Sequence, residues 1–170
     1  MGVSSSSNND LAVSLIDDEP AILLRSGDLL LTSVSDLEIS LSIEPWHHVA
    51  IVVWHENVIY AFHKGTFVPV QVYLKKHPMT VIRHLDCIRP TGFDRHVYET
   101  ALTVRKNIQT KLQDMSELSM EGYSAAAFLL ELKLIREDVF DAGIPKPRHF
   151  SAESTFDRLR LVKYSDHISL

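Results

Sequence analysis

Histidines are concentrated in one short stretch of the chain. Four of the nine lie within residues 44–65, EPWHHVAIVVWHENVIYAFHKG. A histidine side chain titrates near neutral pH, so it can act as a general base, and its neutral form is the commonest metal ligand in proteins. Two kinds of site are therefore to be weighed here, a metal centre and half of a catalytic pair.

The local pattern argues against a metal centre in this stretch. HVAIVVW and VIYAF predict two strands, at 48–54 and 58–62, joined by a short turn. Neighbouring residues of a strand point to opposite faces, so His47 and His48 cannot both enter one site. Zinc requires three or four converging ligands, and neither the hairpin nor the single cysteine, Cys87, supplies such a pattern. We predict no metal and no other cofactor.

His48 is the histidine best placed for catalysis. An isolated histidine on an apolar strand is ordinarily hydrogen-bonded to the backbone. This one opens the run HVAIVV as its only titratable side chain. A neutral imidazole at the mouth of a strand suits a general base, and it would need a nucleophile from another part of the chain.

Composition narrows the classes of function. A chain of 170 residues, 45% hydrophobic, is long enough for one core. The net charge of -5 gives no basic face for a nucleic-acid backbone, so we expect no nucleic-acid partner. One cysteine excludes an internal disulfide and fits either a reducing compartment or a protein indifferent to redox state. The longest apolar runs, 50–54 and 125–130, fall far short of the roughly 20 residues of a membrane-spanning helix.

The order of predicted elements indicates an α+β fold. We expect a flexible tail over 1–15, followed by a single domain over 16–170. The predicted strands are 29–34, 48–54, 58–62, 66–73 and 80–85, and 35–45 is predicted to cross the surface. Apolar residues recur at helical spacing after Asp94, its predicted N-cap, and a second helix is predicted at 123–135. An extended segment ends the chain. This order predicts an antiparallel sheet packed against two helices.

The N-terminus carries a short lipidation pattern. MGVSSSS places Gly2 behind a removable methionine, which matches the pattern for N-myristoylation. We favour a disordered Ser/Asn tail with an incidental glycine. One acyl chain gives only marginal membrane binding, so at most a peripheral membrane contact through Gly2 is expected.

Four motifs in order carry a family resemblance: GDLLLTS, HVAIVV, VIYAFHKGTFVPV, and a tyrosine followed by a small residue at the head of an apolar helix. They resemble the circularly permuted branch of the NlpC/P60 papain-like superfamily, which includes bacterial YiiX-type hydrolases and a poxvirus protein family. The resemblance spans residues 25–163. It implies one permuted papain-like domain with a catalytic centre built from a histidine, a carboxylate and a cysteine.

The resemblance assigns this chain a degraded centre. His48 matches the family histidine, and Gly27-Asp28 match the turn before the first strand. The carboxylate position falls on Tyr60 and the nucleophile position on Ser124. A serine cannot form the thiolate–imidazolium pair of papain-like enzymes and needs an oriented base. The orienting group would be Tyr60 or, in a shifted alignment, His63 or Glu56.

Ser124 and Tyr60 also have simpler interpretations, which we favour. Ser124 after a glycine at a helix start is typical of an N-cap, and an aromatic residue such as Tyr60 is common in cross-strand packing. We therefore expect a non-catalytic papain-like protein, a binding or structural component whose partner is a protein or an acyl or peptide ligand. The alternative is a hydrolase or acyltransferase using Ser124 and His48. The poxvirus likeness suggests a cytoplasmic or virion-associated protein.

Overall fold

A six-stranded antiparallel sheet forms the centre of the protein. The computed structural model describes residues 12–13, 22–33 and 44–170. The sheet has the order β6-β5-β4-β3-β7-β8, and β1 and β2 form a separate two-stranded pair. The strands are β1 Ala12–Val13, β2 Ile22–Leu23, β3 Leu29–Ser33, β4 Trp46–His55, β5 Val58–His63, β6 Thr66–Pro69, β7 Thr80–Arg83 and β8 Ile168–Ser169.

Three α-helices cover this sheet in the described part of the chain: α1 Val70–Lys76, α2 Phe93–Leu112 and α3 Glu117–Glu131. Short 3-10 helices follow at Val139–Ala142, Pro147–Phe150 and Asp157–Leu159. The predicted α+β class and antiparallel sheet are confirmed. The central strand β4 is buried on both faces, because Val49 and Ile51 enter the core under α2 and α3, while Ala50 and Val52 enter a second core with α1.

The prediction of one strand over 66–73 was wrong. The strand β6 ends at Pro69, and α1 begins at Val70. The alternation of valines in this segment also contains a helical spacing, since Val70, Tyr73 and Leu74 all bury their side chains in the second core. Proline immediately before a helix is well tolerated, because it occupies a position whose N–H has no intrahelical partner.

The two later helices differ from the prediction at their starts. The residue before α2 is Gly92, with φ of 84°, so the helix is not capped by Asp94. The apolar positions predicted for this helix, such as Val97 and Ile108, are buried as expected. The helix α3 begins at Glu117 rather than at 123, because Ser116 Oγ accepts a hydrogen bond from the backbone N–H of Ser119 and caps it.

The Gly27-Asp28 turn ties the start of β3 to the end of β7. Gly27 has φ of 94°, a conformation that favours glycine. Asp28 is fully buried and accepts hydrogen bonds from the backbone N–H groups of Arg25 and Leu85, each at 2.9 Å. Its carboxylate also accepts from His84 Nδ1 at 2.9 Å, and this hydrogen bond raises the pKa of His84. The turn is therefore a buried structural junction.

Several expectations lie outside the described residues. The Gly2 pattern and most of the 1–15 tail are among them, as is nearly all of the predicted surface crossing over 35–45. Within the residues that are described, no helix is both long enough and apolar enough to cross a bilayer.

Candidate functional site

A buried glutamate joins two histidines at one end of the central strands. Glu121 Oε2 accepts a hydrogen bond from His48 Nδ1 at 2.9 Å. His63 Nε2 lies 2.7 Å from both oxygens of the same carboxylate. Glu121 is only 1% exposed, so its charge has little access to water. We refer to His48, His63 and Glu121 as the His–Glu–His cluster.

The sheet register and α3 together position the cluster. The pairing of β4 with β5 ends at Ile51 and Phe62, so His63 follows at the end of β5. Past this point the backbone N–H of Val49 donates to Glu121 Oε1 at 3.1 Å. Glu121 lies one turn into α3, which packs against β4. The carboxylate thereby satisfies a backbone donor and two ring nitrogens in one place.

The hydrogen bonds keep Glu121 ionised. Burial alone would raise its pKa, but hydrogen bonds from His48 and His63, reinforced by the charges of those rings, hold the pKa at about 2. A buried carboxylate without such donors would be strongly penalised. The cluster is thus a satisfied, charged group in an otherwise apolar region.

Acid should weaken the fold through this carboxylate. The pKa of Glu121 is about 2 in the folded protein and near 4.5 for an unperturbed glutamate, so its stabilising contribution is fully present above about pH 4.5. It is lost as the pH falls through 2. We expect the free energy of unfolding to fall more steeply over this window in the wild type than in Glu121→Gln, as measured by urea denaturation at a series of pH values. Equal slopes would contradict the assignment.

Two further rings border the cluster. The His77 ring lies 4.3 Å from that of His48, and the Tyr73 ring meets His63 edge-on at 5.1 Å. Burial, followed by the charges of His48 and His63, lowers the pKa of His77 to about 4. His77 is therefore neutral at physiological pH. The His48 side chain is 32% exposed, so the cluster opens to solvent on this side.

Ser124 lies in the interior of α3, one turn beyond Glu121, and it is not the N-cap of that helix. The residue is 2% exposed, and among the described residues its Oγ has no hydrogen-bond partner. It is therefore not hydrogen-bonded to His48, the other predicted member of a catalytic pair.

Tyr60 and the other candidates occupy separate places. The Tyr60 ring packs edge-on against Phe67 at 5.7 Å, and the residue borders the first core. Glu56 is exposed in the hairpin turn beside His55. Of the two orienting groups considered for a shifted alignment, His63 is the one that reaches the cluster. Cys87 is a half-buried thiol that follows β7.

Glu121 is the residue that the sequence reasoning missed. With the second helix predicted to begin at 123, Glu121 fell in the preceding loop and Ser124 fell at the helix head. The available signal was Ser116, a possible N-cap. A helix capped by Ser116 would contain both Glu121 and Ser124 and place them on the same face. His63 lies on the adjacent strand, so the alternation of side chains along β4 alone gave no sign that it meets His48.

A cleft of about 390 Å³ lies at the start of β4. Its walls include the rings of Trp46 and Phe156 and the side chains of Arg148, His149 and Glu153. Burial, followed by the charge of Arg148, lowers the pKa of His149. None of the cluster residues lines it. The cleft is therefore a concavity distinct from the buried His–Glu–His cluster.

Comparisons with known proteins were made at three levels. No family model matches the sequence. Neither the curated proteins nor the solved structures gave a match.

Proposed function

We propose that this protein is a papain-like domain of the permuted NlpC/P60 type that does not perform acyl transfer and serves as a binding or structural component. The observation that carries the proposal is the bond between His48 and Glu121. In the papain-like arrangement the histidine would face a cysteine thiol on a helix. Here α3 presents the Glu121 carboxylate to His48 Nδ1, and the single cysteine, Cys87, follows β7 instead.

The chemistry of the site supports this interpretation. Acyl transfer of the papain type needs a strong nucleophile beside an imidazole that can take its proton. The His48 nitrogen nearest α3 is engaged by an ionised carboxylate, and Ser124 Oγ is buried without a bond to any base in the described chain. Neither the phenol of Tyr60 nor Glu56 lies in position to orient His48. The cluster contributes stability and charge instead of a nucleophile.

The cleft at the start of β4 supports a binding role. The two aromatic rings suit the apolar part of an acyl or peptide ligand. Arg148 already pairs with Glu44, and Glu153 also lines the cleft, so the lining selects no particular ligand charge. A protein partner that presents such an acyl or peptide segment would bind through the same contacts. The setting that we propose, cytoplasmic or within a virus particle, follows from the family resemblance alone.

A serine-directed phosphonate probe tests the catalytic alternative. We expect no covalent labelling of Ser124, because a buried hydroxyl without a base is neither accessible nor activated. Intact-protein mass spectrometry after incubation measures the labelling, with a serine hydrolase treated in parallel as the positive control. Labelling of Ser124 that disappears in His48→Ala would overturn the proposal.

Ser124→Ala serves as the matched variant in this experiment. It is expected to fold with unchanged stability or to gain up to about 1 kcal/mol, because it removes a buried hydroxyl that lacks a hydrogen bond. A thermal melt of the variant measures this. A clear loss of stability would show that the hydroxyl has a partner essential to the fold.

A further inference from the structure

We propose that His48, His63 and Glu121 form a binding site for a divalent transition-metal ion of the zinc type. The three residues each offer one ligand atom, and these atoms all lie within 4.8 Å of one another. Two imidazoles with one carboxylate make a ligand set used by zinc enzymes and by non-haem iron proteins. The inference goes beyond the proposed function and does not depend on it.

Each glutamate–histidine pair needs only a small expansion to receive the ion, and the two ring nitrogens already lie within 4.8 Å of each other. The ring nitrogens lie 2.7 and 2.9 Å from the Glu121 oxygens. Ligands about 2 Å from a tetrahedral zinc ion are about 3.3 Å apart, so the pairs must open by roughly 0.5 Å. His48 is the most exposed of the three side chains, so we expect this movement to fall mainly on its ring.

Metal binding changes which ring nitrogens of His48 and His63 carry protons. In the metal-free cluster, His48 Nδ1 and His63 Nε2 donate N–H groups to the carboxylate. To bind the ion, each of these nitrogens must present its lone pair. A neutral ring does so by carrying its proton on the other nitrogen, and a charged ring does so by releasing one proton to solvent. The positive ion then replaces the N–H groups as the partner of Glu121.

The surroundings hold the ligands as metal sites require. The backbone N–H of Val49 bonds Glu121 Oε1, which leaves Oε2 for the ion and fixes the plane of the carboxylate. The Tyr73 ring packs against His63 and restricts its rotation. Three protein ligands leave a fourth position, which would take water on the partly exposed side, where His77 lies.

The donor set selects the class of ion. Two imidazoles favour zinc, iron, nickel or copper, whereas magnesium and calcium prefer sites built from oxygen ligands alone. We therefore take Zn²⁺ as the ion to test and Mg²⁺ as the ion that should not compete.

The test is isothermal titration of the EDTA-treated, dialysed full chain with ZnCl2, accompanied by Co²⁺ absorption spectra. We expect one equivalent of Zn²⁺ to bind, and Co²⁺ to give the intense visible bands of a tetrahedral site. His63→Ala and Glu121→Gln should weaken Zn²⁺ binding by on the order of 100-fold or more, since loss even of an outer-shell partner costs about 10–100-fold. Excess Mg²⁺ should not displace the ion.

His47→Ala is the matched control, because His47 adjoins His48 in sequence but is not among the residues whose ligand atoms converge. It should keep the full Zn²⁺ affinity. Because the His48 side chain is partly exposed, we expect His48→Ala to fold even if the variants at the buried residues His63 and Glu121 do not. Circular dichroism would verify the fold of His48→Ala. Absence of Zn²⁺ binding to the wild type, or undiminished binding to folded His48→Ala, would overturn the site. Either result leaves the phosphonate experiment unaffected, so the two proposals can fail separately.

Discussion

Replacing Glu121 with alanine is expected to lower the free energy of unfolding by about 3–5 kcal/mol, the usual cost of removing one partner of a buried charged pair. The substitution leaves the buried ring of His63 without its acceptor. It also leaves the backbone N–H of Val49, in β4, without its acceptor. Urea denaturation at neutral pH, in the presence of EDTA, measures the loss.

Glu117→Ala is the matched control for this variant. Glu117 lies one turn earlier on α3, is exposed, and pairs with Lys64 at 3.2 Å. Removing an exposed pair of this kind costs about 1 kcal/mol or less. Glu121→Gln should fall between the two, because an amide oxygen still accepts the Val49 hydrogen bond. Similar losses for Glu117→Ala and Glu121→Ala would show that the cluster does not stabilise the fold.

Replacing Gly122 with alanine is expected to destabilise the protein by about 1–3 kcal/mol or more, as overpacking of a filled site does. A Cβ at this position would collide with the backbone carbonyl of Pro145, which leads into the 3-10 helix at Pro147–Phe150. Because the obstacle is backbone, no change of side-chain rotamer relieves it. Alanine is otherwise the better helix former, by about 1 kcal/mol, so a loss can come only from the collision. Thermal and urea unfolding measure it.

Gly92→Ala shows what replacing a glycine costs where no atom obstructs the added Cβ. An added Cβ at Gly92 meets nothing within 4 Å, and its φ of 84° costs an alanine only the strain of a left-handed conformation, about 1–2 kcal/mol. Gly122→Ala should also shift the His48 and His63 signals in nuclear magnetic resonance spectra, since Glu121 is its neighbour in α3. If Gly122→Ala were as stable as the wild type, the close approach of Pro145 would be wrong.

Local patterns determined much of the architecture. The strand β4 was predicted from the apolar run HVAIVVW of a hairpin, and α2 from residues recurring at three and four positions. Both signals lie in contiguous residues, so they can be read before the chain folds. The prediction for residues 66–73 was wrong because the valines of this segment fit both a strand and a helix. Burial against the second core decided between them, and burial is a property of the folded chain.

The sequence by itself determined the α+β class and singled out His48. Only the tertiary structure decided what His48 meets. Glu121 is 73 residues away from it along the chain, and 58 away from His63. Their convergence depends on where the pairing of β4 with β5 ends and on how closely α3 approaches the loop at Pro145. Neither leaves a periodic signal in the residues themselves. For this reason the local sequence pattern did not predict the cluster of two imidazoles and one carboxylate.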